Sequence, residues 1–311
     1  MNQPALLQDC RICPRECGVN RFQSVGFCGA KAELKINLAQ LLFGEEPPIS
    51  GTRGSGTIFF SHCNLLCVYC QNHLISLNGH GNTITEEELV AIMLELQRQG
   101  AHNINLVTPS HFSPQLAHAI RSAKHKALII PIVWNSSAYE KTSTLQEMEG
   151  LVDIYLPDYK YYHKIYARKY SNAEDYPQVA LAALREMHRQ CGDLVVNSDG
   201  IASRGLMVRM LVLPHGLAGV KQSLHLLADE FGTRLALSLM GQYYPAGKAN
   251  EYPELGRGIL PEEYQEVLDT AIALGFEQVY IQQLSSDDHW TPRFIRGGDA
   301  ANSNALQGEN L

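Results

Sequence analysis

The chain has 311 residues, enough for one large domain or two ordinary ones with a substantial core. Hydrophobic residues make up 45% and charged residues 18%, which excludes a largely disordered chain. The formal charge is −7 and no basic block interrupts it, which argues against binding along a nucleic-acid backbone.

Residues 1–8 have neither the basic start nor the apolar run of an export signal. The longest apolar stretch, residues 128–134, is far short of the ~20 residues that cross a bilayer. A cytoplasmic protein without membrane contact is expected. Cys10, Cys13, Cys17 and Cys28 come next, at gaps of two, three and ten residues, with Gly18 and Gly29 after the last two. In a reducing compartment such thiols read as metal ligands. Four thiolates close a coordination shell, and both zinc and an iron–sulfur cluster satisfy this set. Residues 1–50 lack the alternation of the rest of the chain and are expected to form a small Cys-rich metal-binding module.

From residue 57 short apolar runs alternate with segments of helical period, the pattern of repeated βα units around a parallel sheet. Strands are expected at residues 57–61, 103–107, 129–134, 152–156, 206–213, 234–239 and 278–281. Thr85 and Glu88 form a capping box ahead of a helix with Leu89, Ile92, Met93 and Leu96 on one face, ended by Gly100. Ala180, Leu184, Met187 and Cys191 recur at helical spacing after Pro177, so Cys191 reads as a core residue. Another helix opens at Pro261 and stops at Gly275. The fold class is therefore α/β, with residues 51–285 as a partial or closed TIM-like (β/α) barrel whose chemistry gathers at the strand ends. Residues 286–311 read as a C-terminal extension, disordered from 297 onward.

Common nucleotide sites are missing. Gly51, Gly54 and Gly56 precede a strand instead of coming after one, and Gly247-Lys248 leads into Ala249, where a P-loop needs Ser or Thr. Directly after the first strand of the alternation stands Cys63-Asn-Leu-Leu-Cys67-Val-Tyr-Cys70. Three thiolates leave one iron of a [4Fe-4S] cube open to a bidentate ligand. Structural zinc is the alternative, with His62 or His73 as fourth ligand. His111, His215 and His289 stand apart and read as surface or loop residues.

This C-x3-C-x2-C loop, with Tyr69 before the third cysteine, resembles the hallmark of the radical S-adenosylmethionine (SAM) superfamily. The resemblance implies a [4Fe-4S] cluster on Cys63, Cys67 and Cys70, SAM on its open iron with Tyr69 near the adenine, and hydrogen abstraction by a 5′-deoxyadenosyl radical. More narrowly, the chain resembles the activating enzymes of pyruvate formate-lyase and, through Pro14, Arg15, Glu16, Gly18, Val19 and Asn20, an uncharacterised group within that branch. Asp158 and Lys160 resemble an Asp-x-Lys that lies against SAM, Arg209 an arginine that approaches its carboxylate, and Asn135 and Ser136 the lining of the same pocket. Where the activating enzymes carry Gly-Gly-Glu this chain has Thr108-Pro109-Ser110, so the SAM ammonium is left to backbone carbonyls or the Thr108 hydroxyl. The resemblance also implies an electron donor such as flavodoxin or ferredoxin, and a protein or small-molecule substrate. The competing reading is a non-catalytic iron–sulfur carrier or scaffold.

Overall fold

The computed structural model describes residues 3–282, 284 and 292–294. The segment from 297 onward and His289 lie outside the described residues. A ten-stranded sheet runs through the molecule. Its strands are β1 (Leu34–Leu42), β2 (Ser55–Phe60), β3 (Asn82–Ile84), β4 (Ile104–Val107), β5 (Ile132–Ser136), β6 (Ile154–Pro157), β7 (Val195–Val196), β8 (Ala202–Leu211), β9 (Ala236–Met240) and β10 (Val279–Ile281). Their order is β10-β9-β8-β6-β5-β4-β2-β1-β3, with β7 beside β8. β2, β4, β5, β6, β8, β9 and β10 pair in parallel. The sheet does not close: it is a partial barrel within a mixed α/β fold, with helices packed on its outer face.

The seven parallel strands coincide with the expected ones, displaced by a few residues at their ends. Alternation along each strand separates two cores, because successive side chains leave opposite faces. Ile104, Leu106, Ile132, Trp134, Tyr155, Leu206, Val208 and Leu237 face the helices and join the main core. Val133, Ile154, Leu156, Met207 and Ala236 face inward and pack on Ile49. Ile49 belongs to a short helix, Pro47–Ser50, at the end of the barrel where the parallel strands begin. The register explains that position, since Leu42 at the end of β1 pairs with Ser55 at the start of β2.

The outer helices obey their sequence signals. Thr85 Oγ1 accepts from the Glu88 amide at 3.1 Å and Glu88 Oε2 accepts from the Thr85 amide at 2.7 Å, opening helix Glu86–Arg98. Helix Pro261–Leu274 ends at Gly275, whose φ of 79° suits a residue without Cβ. Cys191 closes helix Tyr176–Cys191 and is partly buried against the core.

Residues 34–42, ahead of the alternating region, are part of the sheet: β1 pairs antiparallel with β2 and carries β3 at the edge. Among the described residues no helix is long and apolar enough to cross a membrane.

Candidate functional site

After β2 the chain turns through His62 at φ 73° and Leu66 at φ 58°. Non-glycine residues in this left-handed region cost on the order of 1–2 kcal/mol each and persist where packing holds them. The turn brings Cys63, Cys67 and Cys70 to the wall of one cleft at the C-terminal ends of the parallel strands. Each sulfur accepts a hydrogen bond: Cys63 from the Leu65 amide at 3.4 Å, Cys67 from Ser171 Oγ at 3.1 Å, and Cys70 from Ser76 Oγ at 3.1 Å. Burial raises the Cys63 thiol and, with the neighbouring Cys67, pushes Cys70 up to about 12. The hydrogen bonds oppose this by favouring the thiolate, the form that binds metal. Neither His62 nor His73 is among the described residues that line the cleft.

The same cleft is lined by Tyr69, Thr108, Asn135, Ser136, Asp158, Lys160 and Arg209, which come from four strand ends and the cysteine loop. Asp158 joins the two cations: Oδ1 accepts from Arg209 Nε at 2.8 Å and Oδ2 from Lys160 Nζ at 2.7 Å. Arg209 Nη2 also donates to Asn135 Oδ1 at 2.7 Å. Burial works to raise the Asp158 carboxyl, but the charges of Arg209 and Lys160 outweigh it and hold the group below its ordinary range. Ser136 Oγ donates to the buried Glu140 at 2.6 Å. Tyr69 is enclosed edge-on by Tyr161, Tyr170 and Tyr243, with ring centres 6.0–6.4 Å away. Thr108 stands at φ 59°, a β-branched residue in the left-handed region that favours glycine.

Beneath Arg209 the structure adds two residues that sequence reasoning missed. Glu45 Oε2 lies 3.5 Å and Glu46 Oε1 3.9 Å from Arg209 Nη1. They precede the short helix that fills the barrel floor, and no motif marks them. Burial, then repulsion from Glu46, raises the Glu45 carboxyl to about 7 against attraction from Arg209. Because this folded value lies above the ordinary 4.5, the folded protein holds a proton that the unfolded chain has lost between those pH values. Stability from this group is complete below about pH 4.5 and declines as the pH rises through 7. Glu45→Gln is expected to remove roughly 3 kcal/mol of the fall in unfolding free energy between pH 5 and pH 8, measured by urea denaturation. Equal pH slopes in variant and parent would count against a raised Glu45.

The N-terminal thiols form a second group. Cys10, Cys13 and Cys28 are buried and Cys17 is partly so. Two of the sulfurs stand beside one point: a Cβ added at Gly26 would meet Cys28 Sγ at 3.4 Å and Cys17 Sγ at 3.6 Å. Burial first, then the neighbouring sulfurs, raises Cys10 and Cys13 and takes Cys28 to about 11. Arg21, 1% exposed, acts on Cys10 and Cys28 as a positive charge. Its guanidinium donates to the carbonyls of Lys31 and His111 and has no carboxylate partner among the described residues.

His111 corrects the expectation of a surface residue. It is 2% exposed, its Nε2 lies 2.8 Å from the Ser61 carbonyl, and burial, then Arg21, lowers it to about 3. The segment that carries Arg21 covers it, a tertiary contact that no local pattern announces.

Among the described residues no three His, Cys, Asp or Glu side chains stand in closed metal-binding geometry. The structure therefore offers donor sets and their surroundings, not finished shells. In the cleft the donor set fits a cluster with one open iron: three thiols, each receiving a hydrogen bond, beside a polar pocket. Its cavity volume is about 150 Å³, below the ~300 Å³ at which typical small-molecule sites begin.

Residues 57–201 match the model of the radical SAM superfamily. An uncharacterized protein of Methanocaldococcus jannaschii is 27% identical over 281 residues, covering 88% of this chain and 78% of the relative. Among solved structures, HydG, a maturase of the [FeFe]-hydrogenase, aligns with a TM-score of 0.49 and 13% identity over 70% of this chain. The chain spans about half of that protein, 48% of its length. Methylornithine synthase (PylB) aligns with a TM-score of 0.47 and 15% identity, over 77% of this chain and 74% of its own.

Proposed function

We infer that the chain is a radical SAM enzyme in which Cys63, Cys67 and Cys70 hold a [4Fe-4S] cluster and the adjoining cleft binds SAM. The observation that carries this reading is the convergence of the three-thiol loop with Asp158, Lys160, Arg209, Asn135, Ser136 and Thr108 in one cleft. What the cluster and SAM supply when bound is one-electron cleavage of the sulfonium and hydrogen abstraction by a 5′-deoxyadenosyl radical. The chain's own residues bind and shield. Asp158 holds Lys160 and Arg209 in place and balances one of their two charges, leaving net positive charge among the three to meet a carboxylate. Thr108 and the strand-end carbonyls would receive the ammonium of bound SAM. Tyr69 and the tyrosines around it keep water from the adenine side.

The Asp-x-Lys of β6 and the arginine of β8 support an activity like that of the glycyl-radical activating enzymes, on a protein or small-molecule substrate, with one electron taken from a carrier such as flavodoxin or ferredoxin. A reducing cytoplasm suits eight cysteines without a disulfide. Anaerobic reconstitution and then an assay for 5′-deoxyadenosine, with SAM and reductant, tests the reading. Cluster binding without any 5′-deoxyadenosine would return the protein to the class of electron carriers or scaffolds.

The same reading assigns a separate metal to Cys10, Cys13, Cys17 and Cys28, because a fourth thiol at the cleft would block the open iron. The double change Cys10→Ser and Cys13→Ser is expected to remove one metal complement, zinc or iron, by elemental analysis. The paramagnetic signal of the reduced cleft cluster should persist. Loss of that signal from a folded variant would show that the thiols belong to one centre.

A further inference from the structure

We propose that Arg15 is a latch that transmits metal occupancy of the four-thiol site to the Cys63–x3–Cys67 loop, so that loading the N-terminal site braces the loop that carries the cleft cysteines. The inference rests on the reading of both thiol groups as metal ligands.

Arg15 lies in the three-residue bridge between Cys13 and Cys17. Its side chain leaves its own segment entirely. Nε donates to the Asn64 carbonyl at 2.9 Å, and Nη2 donates to the Ser171 carbonyl at 2.8 Å and the Leu65 carbonyl at 3.4 Å. Nη1 donates to the Asn172 carbonyl. The guanidinium also packs over Phe27 at 4.2 Å and Tyr139 at 5.0 Å. One planar fork thus holds two carbonyls inside the loop from Cys63 to Cys67, and also the backbone of Ser171, whose hydroxyl donates to Cys67 Sγ. Lysine, a point donor on a flexible stem, cannot span these acceptors.

Asn64 makes a second tie from the other side. It is 1% exposed, its amide donates to the Tyr139 carbonyl at 2.7 Å, and it lies close enough to the Cys13 thiol to favour its thiolate. A third runs through His62, whose ring fills the space above Gly29, next to Cys28: a Cβ there would stand 2.8 Å from His62 Nδ1. Residues adjoining Cys63 on both sides therefore touch the four-thiol segment.

Occupancy reaches Arg15 through its flanking residues. A metal bound by both Cys13 and Cys17 fixes the two ends of the bridge on which Arg15 stands, whereas protonated thiols leave each end to its own rotamer. Charge favours the loaded state too. Arg21 is buried beside the thiols without a carboxylate partner among the described residues, and a four-thiolate centre of net negative charge supplies the missing counter-charge. Zinc and an iron–sulfur cluster share this chemistry, and metal analysis tells them apart.

The test is hydrogen exchange across residues 63–72 in the full chain, purified anaerobically, with zinc and iron counted on the same samples. In the metal-loaded parent the loop is expected to be protected. Arg15→Ala should keep the N-terminal metal yet exchange at least roughly tenfold faster across the loop, the effect of losing a charged hydrogen bond. Arg15→Lys should fall between. Cys13→Ser with Cys17→Ser should lose the N-terminal metal and loosen the loop to the same degree, although Arg15 is intact. Helix Glu86–Arg98, remote from the latch, serves as the folding reference and should exchange at the parent rate in every variant. Metal loss without loosening, or an Arg15→Ala loop as protected as the parent, would overturn the latch and leave the metal reading standing. A parent without metal at the four thiols would overturn both.

Discussion

Cys67→Ala is expected to abolish reductive SAM cleavage to the assay background and to remove the iron bound at the cleft, while the N-terminal metal is retained. Of the three cleft thiols, Cys67 accepts from Ser171, whose backbone Arg15 holds, so it is the sulfur most firmly embedded in the protein. An alanine there leaves two thiols, too few to hold a cube with a single open iron. The measurement is 5′-deoxyadenosine formed per chain under reductant, with iron and zinc counted on the same sample. Full SAM cleavage by the variant would remove the cleft from consideration as the radical-generating site.

Asp158→Asn is expected to cost about 3–5 kcal/mol of folding stability, because it takes the paired carboxylate from the largely buried Lys160 and leaves Arg209 only the more distant Glu45 and Glu46. The amide can still accept one hydrogen bond but carries no charge. Lys160→Met should cost less, since Asp158 then keeps Arg209 at 2.8 Å. Denaturant unfolding of parent and variants, all without added SAM, gives the comparison. Calorimetry with SAM on the reconstituted proteins adds the second effect: the same substitution should weaken binding by about 2–4 kcal/mol. A variant as stable as its parent, with unchanged SAM affinity, would return Asp158 to the role of an ordinary strand-end residue.

Much of the cleft was legible in the sequence for a physical reason. In a βα repeat the chemistry gathers at the strand ends, and the resemblance to the activating enzymes picks out Asn135 at the end of β5 and Asp158 after β6. Strand ends were less legible. Residues 129–131 continue the apolar run into β5, yet Ile129 is 86% exposed and pairing begins at Ile132, because Gln97 Oε1 captures the Ile129 amide outside the sheet. β1 was invisible because it is an antiparallel strand ahead of the repeat, with no helix after it to complete the pattern. Glu45 and Glu46 were invisible for a related reason: consecutive glutamates before Pro47-Pro48 have the composition of a solvated turn, and only the return of β1 beside β2 carries them under Arg209. Arg15 stands out by its motif, but its acceptors Asn64 and Asn172 lie 49 and 157 residues away, beyond any local signal.

That separation has a bearing on how the protein is made. All seven clustered thiols lie within the first 70 residues, and β1 and β2 pair across a short connection, so both cysteine clusters leave the ribosome with a local scaffold already available. Ser171 and Asn172 emerge about a hundred residues later. The N-terminal thiols are thus free to take up metal on a nascent chain, whereas Arg15 finds half of its acceptors only once β6 and the segment after it have been synthesised. The contacts between Arg15 and the segment at Ser171 and Asn172 are therefore among the last to form as the chain is made.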